Sequence, residues 1–204
     1  GFDVSPDGRQ VAVTWQSTGD DRETDTAIAL IDVESKSMRI VGAATNSNTE
    51  SPLYAPDGKT LAVIHMTRSP KVVFRPTLAL IDVTSGSMRQ IAQEFDAWPH
   101  IGDWSADGTR LIVGADVAGH VPVFAVDVAT GKAERITHAR EGGGHSDLSV
   151  LPDGRIAGIR STFLEPPEAF VVTAKPASPP QTLARLSGYD YPDWIEVENR
   201  TAKS

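Results

Sequence analysis

The feature that most constrains the fold of this chain is a four-residue turn motif that recurs at almost constant spacing. The copies lie at residues 5–8, 55–58, 105–108 and 151–154 and end in Pro-Asp-Gly, except the copy at 105–108, which ends in Ala-Asp-Gly. Its aspartates occupy positions 7, 57, 107 and 153, so the intervals are 50, 50 and 46 residues. A fixed period of this length is typical of repeat architectures, in which one supersecondary unit is copied along the chain.

Each turn motif precedes a run of residues with strong β propensity, at 10–15, 61–65, 111–114 and 156–159. In such a motif proline presets φ, aspartate bonds to the local backbone, and glycine adopts positive φ, so the pattern predicts a tight hairpin. We therefore give the turn residues a structural role. They are Asp7 and Gly8, Asp57 and Gly58, Asp107 and Gly108, and Asp153 and Gly154.

A second signature follows in the first three units, where an apolar strand ends in Asp-Val at Asp32, Asp82 and Asp127. Another turn and another short strand come next. Because these aspartates recur at one position in three units, we interpret them as turn-capping groups, since a catalytic group is needed only once. Lys36 stands where the later copies have Gly86 and Gly131. A left-handed backbone at Lys36 would cost about 1 kcal/mol, which predicts a looser turn.

The repeating unit is thus four antiparallel strands joined by hairpins and a loop, which describes a β-propeller blade. We predict an all-β chain of four four-stranded antiparallel blades, at about 1–42, 43–93, 94–138 and 139–190, and a final linker at 191–204. A β-sandwich lacks such a period, and α/β folds need helices between strands. An arc of blades that does not close exposes apolar faces, so either these four close on themselves or further blades belong to the fold.

The amino-acid composition argues against two classes of protein, nucleic-acid-binding proteins and proteins that span a membrane. Nineteen Lys and Arg against 27 Asp and Glu give a net charge of −8, and no basic patch offsets it, which argues against a nucleic-acid partner. The chain has no Cys. No apolar run of about 18 residues is present, so we expect no membrane span. The compartment, cytoplasmic or periplasmic, stays open.

No cofactor and no metal site are predicted. The acidic loop of Asp20, Asp21, Glu23 and Asp25 matches no EF-hand spacing and is interpreted as a solvated loop. The five histidines, at 65, 100, 120, 138 and 145, show no close ligand spacing, which argues against zinc.

No catalytic residue is predicted either. The nearest match to a hydrolase nucleophile motif, residues 144–148, lacks the last glycine, and no histidine follows His145 to complete a Ser-Asp-His order. We interpret Ser146 and Asp147 as turn or first-strand residues. The chain alone is therefore not expected to be an enzyme.

Several segments of the later repeats resemble a known family. They are Phe95-Asp96, 104–108, 127–132, 135–137, the segment 161–171 that contains Glu165 and Glu168, 181–184, and 194–201. Together they resemble the late propeller blades of prolyl oligopeptidase-like serine peptidases, in the branch of the acylaminoacyl peptidases and dipeptidyl-peptidase V-like enzymes. The Pro-Asp-Gly blade motif is shared with many other propellers, so the resemblance depends on the segment 161–171 and on the last strand.

That resemblance implies a chain that is the C-terminal part of a seven-bladed propeller, with 191–204 leading toward an α/β-hydrolase domain. The propeller would cap and gate the active site for small peptide substrates, and its partners would be that hydrolase domain and the remaining blades. The parent protein would be a serine peptidase. Two alternatives stay open: a free-standing interaction propeller like that of the bacterial Tol envelope system, and, with least support, a propeller enzyme with a metal in its channel.

Overall fold

The computed structural model describes residues 1–18, 24–68, 75–137, 143–162 and 165–184. Within these ranges the secondary structure consists of sixteen β-strands and contains no helix. The described part of the chain accordingly holds no helix long and apolar enough to cross a membrane.

The strands form four consecutive antiparallel meanders, which we name blades 1 to 4. A single parallel pairing of Thr26 with Asn48 joins the sheets of blades 1 and 2. The predicted fold, four four-stranded antiparallel blades, is confirmed. Blade 1 is β1 (Phe2–Val4), β2 (Gln10–Thr18), β3 (Thr24–Asp32) and β4 (Met38–Val41); blade 2 is β5 (Ser47–Tyr54), β6 (Thr60–Thr67), β7 (Thr77–Asp82) and β8 (Met88–Ile91); blade 3 is β9 (Trp98–Trp104), β10 (Arg110–Asp116), β11 (Val123–Asp127) and β12 (Ala133–Arg135); blade 4 is β13 (Gly144–Val150), β14 (Ile156–Ser161), β15 (Glu168–Val172) and β16 (Gln181–Ala184).

The core consists of three apolar clusters, one at each junction between consecutive blades. Side chains alternate between the two faces of a strand, so each inner blade buries one set of residues against the blade before it and another against the blade after it. At the junction of blades 1 and 2, for example, Ile28 and Leu30 pack against Leu61. Trp104 lies in the cluster between blades 2 and 3, and Phe170 in the one between blades 3 and 4. A blade therefore acquires its core only from its neighbours.

Because successive strands run in opposite directions, their connections alternate between two surfaces of the arc. The surface that we name the turn face carries 5–9, 33–37, 55–59, 83–87, 105–109, 128–132, 151–155 and 173–180. The opposite surface, the loop face, carries the links between blades and the longer loops inside them. Its described connections include 42–46, 92–97 and 117–122.

The hairpins of the turn face are closed by one recurring set of hydrogen bonds. In blade 3 the Asp107 carboxylate accepts bonds from the Ser105 hydroxyl (2.7 Å) and the Thr109 amide (3.0 Å). These bonds, with one from the Thr109 hydroxyl, lower the pKa of Asp107 to about 2. The glycine of each motif has positive φ: 71° at Gly8, 68° at Gly58, 68° at Gly108 and 82° at Gly154.

The second turn of each of the first three blades is capped as the sequence predicts. The Asp32 carboxylate accepts bonds from the amide and the hydroxyl of Ser35, both at 2.7 Å, and Asp82 and Asp127 repeat the arrangement. These bonds lower the pKa of Asp32. Lys36 has φ 58°, close to the 73° of Gly86. Its amide donates to the Asp32 carbonyl at 2.9 Å, as the Gly86 amide does to Asp82 at 2.8 Å. The predicted loosening is therefore wrong, because the hydrogen bonds hold lysine in the left-handed conformation.

Replacing Lys36 with glycine should stabilise the protein. A left-handed backbone costs a residue with a Cβ about 1 kcal/mol, and the greater freedom of glycine in the unfolded chain offsets part of the gain. We expect Lys36→Gly to raise the free energy of unfolding by about 0.5 kcal/mol, measured by urea denaturation. The reciprocal control, Gly86→Lys, should destabilise, because its Cβ would lie 3.1 Å from Val41 Cγ1. A less stable Lys36→Gly variant would contradict the assignment of strain to this turn.

Polar groups also tie neighbouring blades together. The Asp3 carboxylate of blade 1 accepts the Tyr54 amide of blade 2 at 2.7 Å, and Asp103 accepts the Val150 amide across the junction of blades 3 and 4, also at 2.7 Å. Between blades 2 and 3 the Trp104 indole donates to the Leu53 carbonyl at 3.2 Å. Its place just before a turn predicts that Trp104 packs between blades, and the ring is nearly fully buried at this junction.

Arginines provide a second kind of tie between blades. Arg39 of blade 1 donates to the carbonyls of Val83 and Thr84 in blade 2, and Arg89 of blade 2 donates to the Val128 carbonyl of blade 3 at 3.1 Å. Both arginines lie seven residues after the capping aspartate of their own blade. Each guanidinium group thus bonds across a junction to a backbone carbonyl of the next blade.

Removal of the Asp103 carboxylate should weaken the junction of blades 3 and 4. Asp103→Ala leaves the half-buried Val150 amide without its partner, which should lower the free energy of unfolding by about 1–3 kcal/mol. The matched control is Asp96→Ala, whose side chain is 94% exposed and lies 3.4 Å from Arg75; it should change stability by less than about 0.5 kcal/mol. Equal effects of the two substitutions in a denaturation experiment would refute the tie.

Candidate functional surface

The loop face brings together the histidine side chains that the structure describes. All four histidines that the structure describes lie at this end of the strands or in its loops: His65 near the end of β6, His100 near the start of β9, His120 in 117–122, and His145 near the start of β13. His138 falls outside the described residues. The sequence showed no spacing pattern for these histidines, since only the up-and-down course of the strands brings them to one surface.

His65 is a buried structural group. Its Nδ1 lies 3.0 Å from the Thr49 hydroxyl, which itself donates to the Gly42 carbonyl at 2.9 Å. Because that hydroxyl proton is used, the His65 Nδ1 carries the hydrogen that completes the chain of bonds. Burial lowers the pKa of His65, so the neutral ring is the stable form.

His145 is also buried, with 4% of its surface exposed. Its Nδ1 donates to the Val121 carbonyl at 2.8 Å, and its ring meets Phe170 edge to face at 5.0 Å between centroids. Its Nε2 is buried and has no hydrogen-bond partner among the described residues. Burial, reinforced by the positive charges of Arg160 and Arg135, lowers the pKa of His145. This histidine therefore serves the junction between blades 3 and 4.

His100 and Asp116 form an exposed pair on the same face. His100 Nε2 lies 2.8 Å from an Asp116 carboxylate oxygen, and about 62% and 53% of the two side chains is exposed. The strand register places Trp98 directly opposite Asp116, and the Trp98 ring is half exposed. An aromatic surface beside a hydrogen-bonding imidazole and a carboxylate is suited to contact a peptide or another protein surface. Sequence reasoning missed this group, because the residues meet only through the pairing of β9 with β10.

Ion pairs hold the loops of this face. Asp25 at the start of blade 1's third strand pairs with Arg68 of blade 2, so the end of the acidic loop is bonded to the next blade. The rest of that loop, including Asp20, Asp21 and Glu23, lies outside the described residues. Arg75 donates to the Phe95 carbonyl at 3.0 Å and lies 3.4 Å from Asp96, which connects blade 2 to the link that leads into blade 3.

The nearest match to a nucleophile motif is part of a strand. Ser146 donates to the neighbouring Asp147 carboxylate at 2.9 Å, whereas His145 points to the Val121 backbone. Asp147 has φ 51° and lies where the register between β13 and β14 shifts, so the motif forms a β-bulge on the inner strand. Ser146 therefore has no general base within this motif.

The two carboxylates of the last blade lie apart from this motif. Glu165 is exposed in the loop after β14, where its amide bonds to the Thr162 hydroxyl at 2.9 Å. Glu168 begins β15 and is paired in register with Arg160 of β14. Residues 194–201, which carry the last-strand resemblance, lie outside the described residues.

The described residues hold no group of three or more histidine, aspartate or glutamate side chains arranged to share a metal ion. The described residues also line a cleft of about 590 Å³ that opens on the turn face between blades 2 and 3. Asp57, Asp82 and Asp107 surround it together with Arg89 and Trp104. These side chains are already bonded in turns or across the junction, so the cleft is the outer end of an interface between blades.

The two buried histidines should make stability fall in mild acid. An unfolded histidine binds a proton below about pH 6.5, whereas in the folded state the pKa of His65 and of His145 is lower. The unfolded state therefore binds more protons as the pH falls below 6.5, and stability decreases with it. The turn aspartates add a second loss at lower pH, because the pKa of Asp107, for example, is lowered to about 2. We expect the urea midpoint to fall between pH 7.5 and pH 5.

A His65→Gln, His145→Gln variant tests this cause of the acid sensitivity. The variant should be less stable than the parent at pH 7.5 yet lose less of its remaining stability on going to pH 5. The measurement at pH 7.5 serves as the control for packing effects that do not depend on titration. A variant that loses as much stability as the parent between the two pH values would contradict the prediction.

Comparison with known proteins identifies the type of fold. Neither a protein-family model nor a curated protein matches the chain. Among solved structures, TolB from Acinetobacter baumannii has a TM-score of 0.62 at 17% identity over 91% of this chain and 44% of its own. A puromycin-hydrolyzing peptidase of Mycobacterium tuberculosis has a TM-score of 0.63 at 18% identity, over 84% of this chain and 29% of its own. The β-propeller domain of the Trilobed protease from Pyrococcus furiosus has a TM-score of 0.65 at 12% identity, over 89% and 52%.

At these identities the likeness concerns the fold alone. The chain spans about half or less of the length of these proteins. Its architecture is that of the β-propellers found both in TolB and in peptidases of the prolyl oligopeptidase type.

Proposed function

We propose that this chain is the non-catalytic propeller segment of a prolyl oligopeptidase-like serine peptidase, of the acylaminoacyl or dipeptidyl-peptidase V-like branch. In this proposal residues 1–190 are blades of a seven-bladed propeller, and 191–204 lead to an α/β-hydrolase domain. The observation that carries it is the combination of a four-blade arc with the family-like segments of the last two blades. The fold likeness to peptidases agrees with it.

The role of the chain would be to restrict which substrates reach the hydrolase. A segment suited to that role must be rigid, since a mobile cap would admit folded proteins. The partly buried ion pair Asp25–Arg68 supports this requirement, because it bonds a loop-face segment of blade 1 to blade 2. We assign this loop face, with exposed Trp98 and His100, to the side that meets the hydrolase and small peptide substrates.

Two assays test the proposal together. The 204-residue chain, mixed with an acyl-peptide or a dipeptide anilide, should give no hydrolysis. The complete polypeptide that contains the chain should hydrolyse such substrates and should be labelled by a fluorophosphonate at a serine outside residues 1–204. A complete polypeptide that is neither labelled nor active would refute the peptidase proposal. Turnover by the repurified 204-residue chain would refute its non-catalytic role.

The gating role has its own test in the same preparation. A cap that admits only small substrates should allow cleavage of short peptides and exclude a folded protein that carries the same sequence in an exposed loop. Equal rates on the short peptide and on the folded protein would argue against gating while leaving the peptidase assignment intact.

A free-standing interaction propeller is the second candidate, and the likeness to TolB over 91% of this chain favours it. This alternative predicts a complete polypeptide without fluorophosphonate labelling and a stable complex with a protein partner. The half-exposed Trp98 would then lie in the partner interface, so Trp98→Ala should weaken that complex. The labelling experiment therefore separates the two candidates.

A further inference from the structure

One face of blade 1 is apolar and has no neighbour among the described residues. Strand pairing aligns Phe2, Val13, Ala29 and Ile40 in one row across the blade, and Val4, Val11, Ile31 and Met38 in the next. The opposite face of the same blade, with Ile28 and Leu30, is buried against blade 2. The open rows leave large apolar side chains in water, with 72% of Phe2 and 52% of Met38 exposed. A contiguous apolar surface of this kind marks an interaction site.

The open face of blade 1 corresponds, in the repeat, to the face by which blade 2 packs on blade 1. Blade 2 packs on blade 1 through seven residues, and at the position 50 residues earlier each has an apolar counterpart on the open face of blade 1. The pairs are Val4 and Tyr54, Val11 and Leu61, Val13 and Val63, Ala29 and Ala79, Ile31 and Ile81, Val33 and Val83, and Met38 and Met88. The open face thus repeats, residue by residue, the set by which blade 2 packs on the blade before it.

We propose that the open face of blade 1 binds a further four-stranded blade of the same polypeptide. This inference rests on the part of the proposed function that places the chain in a larger propeller, and it needs no hydrolase domain. The geometry of the three existing junctions specifies the binding blade. Its inserted face is apolar, like the face formed by Ile28, Leu30 and Val41, and it lies against the rows of Val13 and Val11.

The polar ties specify the binding blade further. Every junction in the structure has at least one of two ties from the earlier blade: an aspartate four residues before the turn aspartate, or an arginine in the outermost strand. On the open face the matching acceptors and donors are the Val33 carbonyl, in the place of Val83, and the Val4 amide, in the place of Tyr54. The inserted blade should therefore carry such an aspartate, such an arginine, or both.

This requirement argues against a second copy of the chain as the occupant. Another copy could present its own open face of blade 1, whose Asp3 and Arg39 are already bonded to blade 2, or the outward face of blade 4. At the aspartate position blade 4 has Ser149, and at the arginine position the strand register gives it Gln181. Blade 4 thus lacks both polar ties.

Lys36 adds one steric condition. Its counterparts Gly86 and Gly131 lie against the preceding blade, where a Cβ would come within 3.1 Å of Val41 Cγ1 or 2.8 Å of the Ala92 amide nitrogen. A blade packed on the open face would meet the Cβ of Lys36 at the place where Val41 or Ala92 meets a glycine at the other junctions. The inserted blade should therefore have a smaller residue than valine at the position of Val41, or a backbone displaced by a few tenths of an ångström.

Photo-crosslinking in the complete polypeptide tests the proposal. The variant Phe2→p-benzoylphenylalanine places a reactive ketone on the open face. The matched control is Lys132→p-benzoylphenylalanine, at an exposed turn of blade 3. After irradiation, the Phe2 variant should yield an intramolecular link to a strand of a further blade, whose sequence carries the aspartate or the arginine named above. The control should give no such product.

Every other product of the Phe2 variant would overturn the inference. A link to residues 143–184 of another copy would identify a second copy as the occupant, and a link to a different protein would identify a partner surface. Absence of any product would indicate an open face. Maleimide labelling of single introduced cysteines checks this result, because residues 1–204 contain no cysteine. Met38→Cys should react with maleimide about tenfold more slowly than Lys132→Cys in the native complete polypeptide if the face is covered, and at a similar rate if it is open. Fluorophosphonate labelling is scored separately, so failure of the peptidase proposal and failure of this one are distinguishable.

Discussion

Burial of one blade face against the next is the interaction on which the rest of this structure depends. A single four-stranded sheet of this size has two solvent-accessible faces and too little apolar area to compensate the entropy of ordering its chain. The three junction clusters solve this problem, since Leu61 and Val63 on one face of blade 2 contact blade 1 while Ile64 and Leu80 on the other contact blade 3. Stability is therefore approximately a sum over junctions, and the loss of one junction affects two blades.

The polar ties between blades fix how the apolar faces are aligned, whereas the apolar contacts hold the faces together. Apolar faces can slide along each other, whereas a carboxylate that accepts a particular amide fixes one register. Asp3 and Asp103 have this role at the first and third junctions, and the Trp104 indole has it at the second. At the third junction Glu134 occupies the position of Arg39 and Arg89, so the arginine tie is absent there and the carboxylate tie is present. The chain thus uses different polar groups to obtain the same alignment.

The fold could be read from the sequence because its signals are local and repeated. A turn motif every 46 to 50 residues and apolar strands between turns leave few architectures, and the structure has the predicted four blades. The properties of single positions could not be read in the same way. Lys36 keeps a left-handed turn because Asp32 and Ser35 hold it, although its propensity favours another conformation. The pairing of His100 with Asp116, and the contact of His145 with Phe170, depend on register and on packing between strands.

The two surfaces of the arc differ in a way that bears on function. On the turn face, short hairpins use the same aspartate chemistry in every blade, so this surface varies little along the chain. On the loop face, connections differ in length and composition, and the ion pairs, the exposed Trp98 and the exposed His100 all occur there. Recognition requires side chains that differ from blade to blade, held on a scaffold that does not. Among the described residues the junctions provide the scaffold and the loop face carries most of the variation, so this face is the surface suited to distinguish one blade from another.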